Sequence, residues 1–185
     1  NFYVTAVNRE LKTDRDNATI WLLICKDKND VVYLDYPLHL NVGDLLIYHG
    51  TEQFFTDHNI RVTLKRSEFD VDIEELKQKI TPNTTILLHG GGNFGDLYPQ
   101  HQKIRETVVE TFPHNRVIVL PQTLFYKSQE TLEKSAALFA EHSDCHLLAR
   151  DERTAKTFEQ FSANVYLSPD MAHELYGTLP TKKTH

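Results

Sequence analysis

The chain has 185 residues, 40% of them hydrophobic and 25% charged, with a formal net charge of −6. That length fills one domain well and is too short for two ordinary ones, and no apolar stretch approaches the roughly 20 residues that cross a bilayer. The acidic balance excludes a nucleic-acid partner held by bulk charge, because no basic face is concentrated enough to release many counterions.

The start of the chain is the least regular part. Phe2–Leu11 reads as a helix and Thr19–Cys25 as helix or strand, so residues 1–30 are expected to form an extra layer on the main domain. From Val31 the pattern becomes clear. Val31–Tyr36 is a first strand, and Ile47, Thr51, Phe54 and Phe55 share one face of the helix after it. Ile60–Leu64 is a weaker strand whose alternating polar residues suggest an edge, and Thr85–Leu88 is an apolar, β-branched run that reads as buried. Ile104, Val108 and Phe112 recur every four residues as a helix stripe, followed by a strand at Arg116–Leu120. Leu132, Ala136, Phe139 and Ala140 form the next stripe, with Ser128 as its N-cap and Glu130 in its first turn. Cys145–Ala149 is a strand, Ala155, Phe158 and Phe161 mark a short helix, and Ala163–Leu167 closes the series.

Strands alternating with helical patterns imply βαβ units with right-handed crossovers. The expected fold is α/β: a Rossmann-like, doubly wound, mainly parallel sheet of five to six strands spanning residues 31–175. Residues 176–185 lose periodicity and read as a polar tail or a link to a further domain. The two cysteines, Cys25 and Cys145, form neither a CxxC pair nor zinc spacing. They read as buried free thiols, so a reducing, cytoplasmic location is expected, with no signal peptide. No helix carries histidines at metal spacing, and no metal is expected.

In a parallel sheet the loops after the strands gather on one edge, where α/β proteins bind ligands. Here those loops are rich in chemistry. The first runs from Asp35 through His39 and Asn41-Val42-Gly43-Asp44. The loop after Thr85–Leu88 holds His89 and Gly90-Gly91-Gly92-Asn93-Phe94-Gly95-Asp96, with four of the chain's 7 glycines. Pro121-Gln122-Thr123, then Arg150-Asp151-Glu152-Arg153, then Ser168-Pro169-Asp170 follow later strands. Each also has a plain structural explanation. Asp44 fits a helix cap, Asp96 fits a loop clamp, and His39 and His89 fit structural histidines. Arg150 resists such an explanation, since a cation at a helix N-terminus opposes the dipole, and a bound anion would account for it. The glycine segment formally fits G-x-G-x-x-G, but Pro99 interrupts it and the next strand ends in Pro121-Gln122 rather than an acid. A nicotinamide or flavin cofactor is therefore not expected. Neither a P-loop nor a G-x-S-x-G elbow occurs.

Five motifs occur in order. They are Asn41–Asp44, Leu87–Asp96, Pro121-Gln122-Thr123, Ala149-Arg150-Asp151 and Ser168-Pro169-Asp170-Met171-Ala172. Each is weak alone. Together they resemble the polysaccharide pyruvyl transferase family over roughly Val31 to Ala172. The resemblance implies one half of a two-domain transferase of the GT-B type, acting in bacterial exopolysaccharide or cell-wall polymer synthesis. It implies transfer of pyruvate from phosphoenolpyruvate onto two sugar hydroxyls as a ketal. Phosphoenolpyruvate is then a donor substrate and no cofactor is needed. A free or lipid-linked sugar is the acceptor, and peripheral contact with a membrane-bound acceptor and a homo-oligomer are both compatible with it. A second domain beyond Asp170 would hold the donor phosphate.

Ketal formation needs an acid for the methylene carbon, a base for the sugar hydroxyl and donors for the departing phosphate. Position and residue type make Asp44 and Asp96 the candidates for hydroxyl recognition and base, and His89 the acid or proton relay. Asn41, Gly43, Gly90, Gly91, Gly92, Asn93, Gln122 and Arg150 are the candidate binding residues, with Arg150 and the glycine amides taking an anion. Two other classes remain open: a GT-B-like glycosyltransferase using a nucleotide sugar, and a non-catalytic domain that binds a sugar or a partner chain.

Overall fold

A computed structural model describes Ile20, Leu23, Ile24 and residues 30–176. Most of the expected layer at 1–30 and the tail beyond Tyr176 lie outside the described residues. The strands are β1 (Val31–Tyr36), β2 (Val62–Ser67), β3 (Thr85–Leu88), β4 (Gly91–Gly95), β5 (Val117–Phe125), β6 (Cys145–Ala149) and β7 (Asn164–Leu167). The helices are α1 (Val42–Asp57), α2 (Ile73–Lys79), α3 (Pro99–Thr111), α4 (Gln129–Ala140) and α5 (Glu152–Phe158), followed by a 3₁₀ turn at Met171–Leu175. All paired strands are parallel, in the order β2-β1-β3-β5-β6-β7, with β4 against β5. The fold is Rossmann-like.

Alternation along the strands builds two cores. Val32, Leu34, Ile86, Leu88, Val117, Val119 and Leu147 face α2 to α5. Val31, Tyr33, Leu87, Ile118, Leu120 and Leu148 face α1, Met171 and the side chains of Ile20 and Ile24. With both faces covered, the central strands read as continuous apolar runs. The winding reverses between β1 and β3, so right-handed crossovers put α1 on one face and α3 to α5 on the other. That reversal is the switch point at which α/β sheets open a crevice.

The structure corrects two expectations. The glycine segment is not a turn but a strand. β3 pairs with the first half of β5, through Ile86 and Val117, and β4 pairs with its second half, through Gly91 and Gln122. The chain jogs at His89-Gly90 and resumes. Gly95 needs to be glycine: its φ is +121°, and a Cβ there would lie 1.9 Å from the Phe125 carbonyl oxygen. Likewise Pro121-Gln122-Thr123 is not a loop but part of β5. The sequence reading also lacked α2, a seven-residue helix capped by Asp72, in which only Leu76 is buried.

Candidate active site

The switch point is lined by the end of β1, the jog after β3 and the first turns of α1 and α3. β1 ends irregularly. Its register with β2 slips between Leu34 and Tyr36, which leaves Asp35 in a bulge at φ +67°. Aspartate is among the few side chains that accept this conformation. Asp35 is completely buried, and its carboxylate accepts from His101 Nδ1 at 2.6 Å and from Arg105 Nη2 at 2.9 Å. His101 and Arg105 lie four residues apart on α3 and so share a face. Arg105, also fully buried, donates to the Asn93 carbonyl at 3.0 Å and to Asn93 Oδ1 at 2.6 Å.

From Asp35 a chain of side chains runs outward. His101 Nε2 meets Glu68 Oε2 at 2.7 Å, Glu68 Oε1 meets His39 Nδ1 at 3.3 Å, and His39 Nε2 meets Asp44 Oδ2 at 2.8 Å. Carboxylate and imidazole alternate along it, and side-chain exposure rises from 0% at Asp35 to 40% at His39. Each ring thus has a carboxylate beside both nitrogens. The Asp44 hydrogen bond, aided by Glu68 and opposed by burial, raises the pKa of His39 above its usual value.

Asp44 is free for this contact because Asn41 takes the capping role. Asn41 Oδ1 accepts from the Gly43 amide at 2.9 Å, so Asn41 is the N-cap and Asp44 stands in the first turn of α1. Asp44 also lies across from the glycine segment. A Cβ at Gly91 would sit 3.6 Å from its Oδ1. Among the described residues, no group of three or more His, Cys, Asp and Glu side chains is placed to hold a metal ion.

The sequence profile of polysaccharide pyruvyl transferases matches residues 41–184. The chain belongs to this family. It is 39% identical over 158 residues to the Bacillus subtilis (strain 168) protein named "Putative pyruvyl transferase EpsO", covering 84% of this chain and 48% of that protein. It is 38% identical over 129 residues to Pyruvyl transferase 1 of Schizosaccharomyces pombe, covering 67% of this chain and 32% of that one. The chain thus spans half or less of the length of these curated relatives. A crystal structure of an uncharacterized Klebsiella pneumoniae protein shares the fold, with a TM-score of 0.64 at 18% identity over 93% of this chain and 62% of that one. The family match opens at Asn41 and takes in Asp44, Glu68, the glycine segment, His101 and Arg105, while Asp35 and His39 precede it.

Set inside this pyruvyl transferase fold, the expected site residues divide. Asp44 stands at the crevice, with Gly91 beside it. His89 is at the switch point but is fully enclosed, and burial, helped by the Arg105 charge, pushes its pKa down to about 3. Its Nδ1 is hydrogen-bonded to the Tyr33 hydroxyl at 2.5 Å, and its buried Nε2 has no partner. A neutral, enclosed ring is a poor acid at neutral pH, whereas His39 is half-exposed and its pKa is raised. Asp96 is not near Asp44. Its carboxylate accepts from the Lys127 amide at 2.8 Å and the Ser128 amide at 3.0 Å, fastening the end of β4 to the start of α4. Those amides hold its pKa below the usual range, as suits a permanently ionised clamp.

Arg150 has its anion within the chain. It donates to Asp170 Oδ2 at 2.5 Å and to Thr123 Oγ1 at 2.9 Å, while Asp151 caps α5. Its Nη2 comes within 3.4 Å of where a Cβ on Gly92 would stand, so it borders the glycine segment with its charge already matched. Gln122 is fully buried and donates to the His89 carbonyl at 2.7 Å and to Asn93 Oδ1 at 3.1 Å. Gln122 and Asn93 therefore brace the jog from inside, and Gly90 is enclosed with them. Asn41 and Gly43 sit exposed at the start of α1.

Sequence reasoning placed Asp35 at the crevice edge without making it a site residue, and passed over Glu68, His101 and Arg105. One signal was available: an aspartate ending an apolar strand at the crevice edge, ahead of an i, i+4 His–Arg pair on an otherwise amphipathic helix.

Proposed function

We propose that this chain carries the acid–base half of a pyruvyl transferase that moves pyruvate from phosphoenolpyruvate onto a sugar of an exopolysaccharide assembled in the cytoplasm. The observation that carries the reading is the His39–Asp44 pair at the mouth of the switch point, in a chain of the pyruvyl transferase family. His39, held in its protonated form, gives its proton to the methylene carbon of phosphoenolpyruvate. Asp44 takes the proton of the first sugar hydroxyl as its oxygen bonds to C2. The C2–phosphate bond then breaks, the second hydroxyl closes the ketal, and its proton returns to His39. The other hydroxyl proton leaves with inorganic phosphate. One acid and one base of adjacent position suffice for this sequence, each contributing on the order of 10²–10⁴-fold. Arg150 is occupied by Asp170, so this reading places the phosphate-binding cations in the additional length its relatives possess.

The test is release of inorganic phosphate from phosphoenolpyruvate by the full gene product in the presence of sugar acceptors. Phosphate release that requires both acceptor and His39 supports the reading. Turnover of a nucleotide sugar to a nucleoside diphosphate, with phosphoenolpyruvate inert, overturns it in favour of glycosyl transfer.

A further inference from the structure

The steps above make no use of Glu68 or His101, yet both are buried, ionisable and joined end to end between Asp35 and His39. Buried ionisable groups are costly unless their hydrogen bonds are complete. Here each polar end has a partner of matching chemistry. His101 points one nitrogen inward to Asp35 and the other to Glu68, and Glu68 divides its oxygens between His101 and His39. Gln100, next to His101 in the first turn of α3, donates to the Glu68 carbonyl at 3.1 Å and holds the turn after β2 in place. His39, by contrast, rides on an exposed loop between Leu38 and Leu40, which are 59% and 96% exposed. Asp44 alone would leave its ring free to swing about one nitrogen. Glu68 on the other nitrogen fixes the plane.

We propose that Glu68, backed by His101 and Asp35, is a positioning residue that fixes the ring plane and charge of His39, and that His101 tunes that charge with the opposite sign. Glu68 is an anion beside His39 and favours its imidazolium, whereas an imidazolium at His101, behind Glu68 and between two carboxylates, disfavours it. The other charged or titratable groups around the chain are Asp44 on α1, Asp35 at the end of β1, Arg105 on α3 and His89 after β3, with the Tyr98 ring against His101. The inference deepens the pyruvyl-transfer reading and rests on it only for the kinetic readout.

The experiment is an NMR titration of the His39 ring in the full gene product and its Glu68→Gln and His101→Gln variants, alongside phosphate release from phosphoenolpyruvate. Glu68→Gln is expected to move the His39 midpoint to lower pH and His101→Gln to higher pH. Glu68→Gln should also lower kcat about 10–100-fold, as loss of an orienting partner does, carry the alkaline limb of the pH–rate profile to lower pH, and leave KM within about threefold. General loosening of the site would move both midpoints the same way. That result, or no movement in either variant, overturns the proposal. If Glu68→Gln does not fold, His101→Gln decides alone: an upward shift supports the inference, and anything else refutes it. Opposite shifts without any phosphoenolpyruvate turnover in the wild type would leave the positioning role standing and remove the pyruvyl-transfer reading. Wild-type turnover with unmoved midpoints would do the reverse.

Discussion

The crevice edge has two flanks that use the same residue types for different ends. On the β1 flank, Asp35, His101, Glu68, His39 and Asp44 pass charge from the core to the surface, and the outermost pair is open to solvent. On the β5 flank, Asp96 grips two backbone amides, Arg150 is closed on Asp170, and Asp151 caps α5. Asp96, Asp151 and Asp170 are spent on holding loops. The comparison teaches that residue type and position at a strand end do not separate chemistry from architecture. The partner does: an amide or a matched cation makes a brace, while an imidazole that can change charge at an exposed mouth has the chemistry the proposed transfer needs.

Exchange of one aspartate on each flank is the sharpest way to break this comparison. Asp44→Asn should lower phosphoenolpyruvate-dependent turnover about 10²–10⁴-fold, the usual contribution of a general base. Asp96→Asn should leave turnover within a few-fold and lower the thermal midpoint instead, because the amides of Lys127 and Ser128 lose their anion. Equal losses of turnover in the two variants would erase the distinction between the flanks. The next effect is on stability. Asp35→Asn keeps a residue that tolerates φ +67°, but leaves the fully buried Arg105 without its counterion. Removing one partner of a buried ion pair costs about 3–5 kcal/mol. Urea unfolding should show a loss of that size, and a change below about 1 kcal/mol would mean the pair is solvated.

The two histidines give the comparison a pH axis. His89 has a folded pKa of about 3 against an ordinary 6.5. Between those values the unfolded chain binds a proton that the folded chain refuses. Unfolding free energy should therefore fall as pH drops below the ordinary value, by an amount on the order of a few kcal/mol at the acid extreme. His39 has the opposite sign. Its raised folded pKa gives stability that is present at low pH and lost as pH rises through that value. His39 is 40% exposed, so the effect is small. Chemical denaturation of His89→Gln across the acid range should show a flattened limb relative to wild type. Parallel limbs would mean that His89 does not reside as an enclosed neutral ring.

The parts of this molecule that could be read from its sequence are those fixed by local pattern. β1, β3, β5 and β6 announce themselves because burial on both faces makes them continuous apolar runs, and α4 because Ser128 caps an amphipathic stripe. β4 could not be read: Gly91-Gly92-Asn93-Phe94-Gly95 has almost no strand propensity and takes its conformation from β5 alongside it. The site divides in the same way. That Asp44 and the glycine segment meet follows from strand order, since both lie beside the reversal between β1 and β3. That Asp35 holds His101 and Arg105, across 66 and 70 residues, depends on how α3 packs against the end of β1, and the i, i+4 His–Arg spacing alone does not say which carboxylate the pair meets. Burial lowers the pKa of His89 while the Asp44 hydrogen bond raises that of His39, and a one-dimensional reading sees two similar histidines.

The smallest expected effect tests the claim that the glycine segment is architectural. If the run cradled a ligand phosphate, substitution within it would lower affinity and leave stability nearly unchanged. If it is a strand that threads beside β5, the reverse holds, most clearly at Gly95. There a methyl group would meet the Phe125 carbonyl oxygen at 1.9 Å on a backbone already at φ +121°. Overpacking of this kind costs roughly 1–3 kcal/mol, and the strain of the positive φ acts in the same direction. Gly95→Ala should therefore shift the urea midpoint down, with KM for phosphoenolpyruvate unchanged. Gly92→Ala serves as the counterpart on the same strand. Gly92 is exposed, its φ lies outside the left-handed range, and a Cβ there would meet only the end of the flexible Arg150 side chain at 3.4 Å. A stability loss confined to Gly95→Ala supports the strand account. A KM effect at both positions with no loss of stability would return the segment to ligand binding and move Arg150, its neighbour, back into the crevice chemistry.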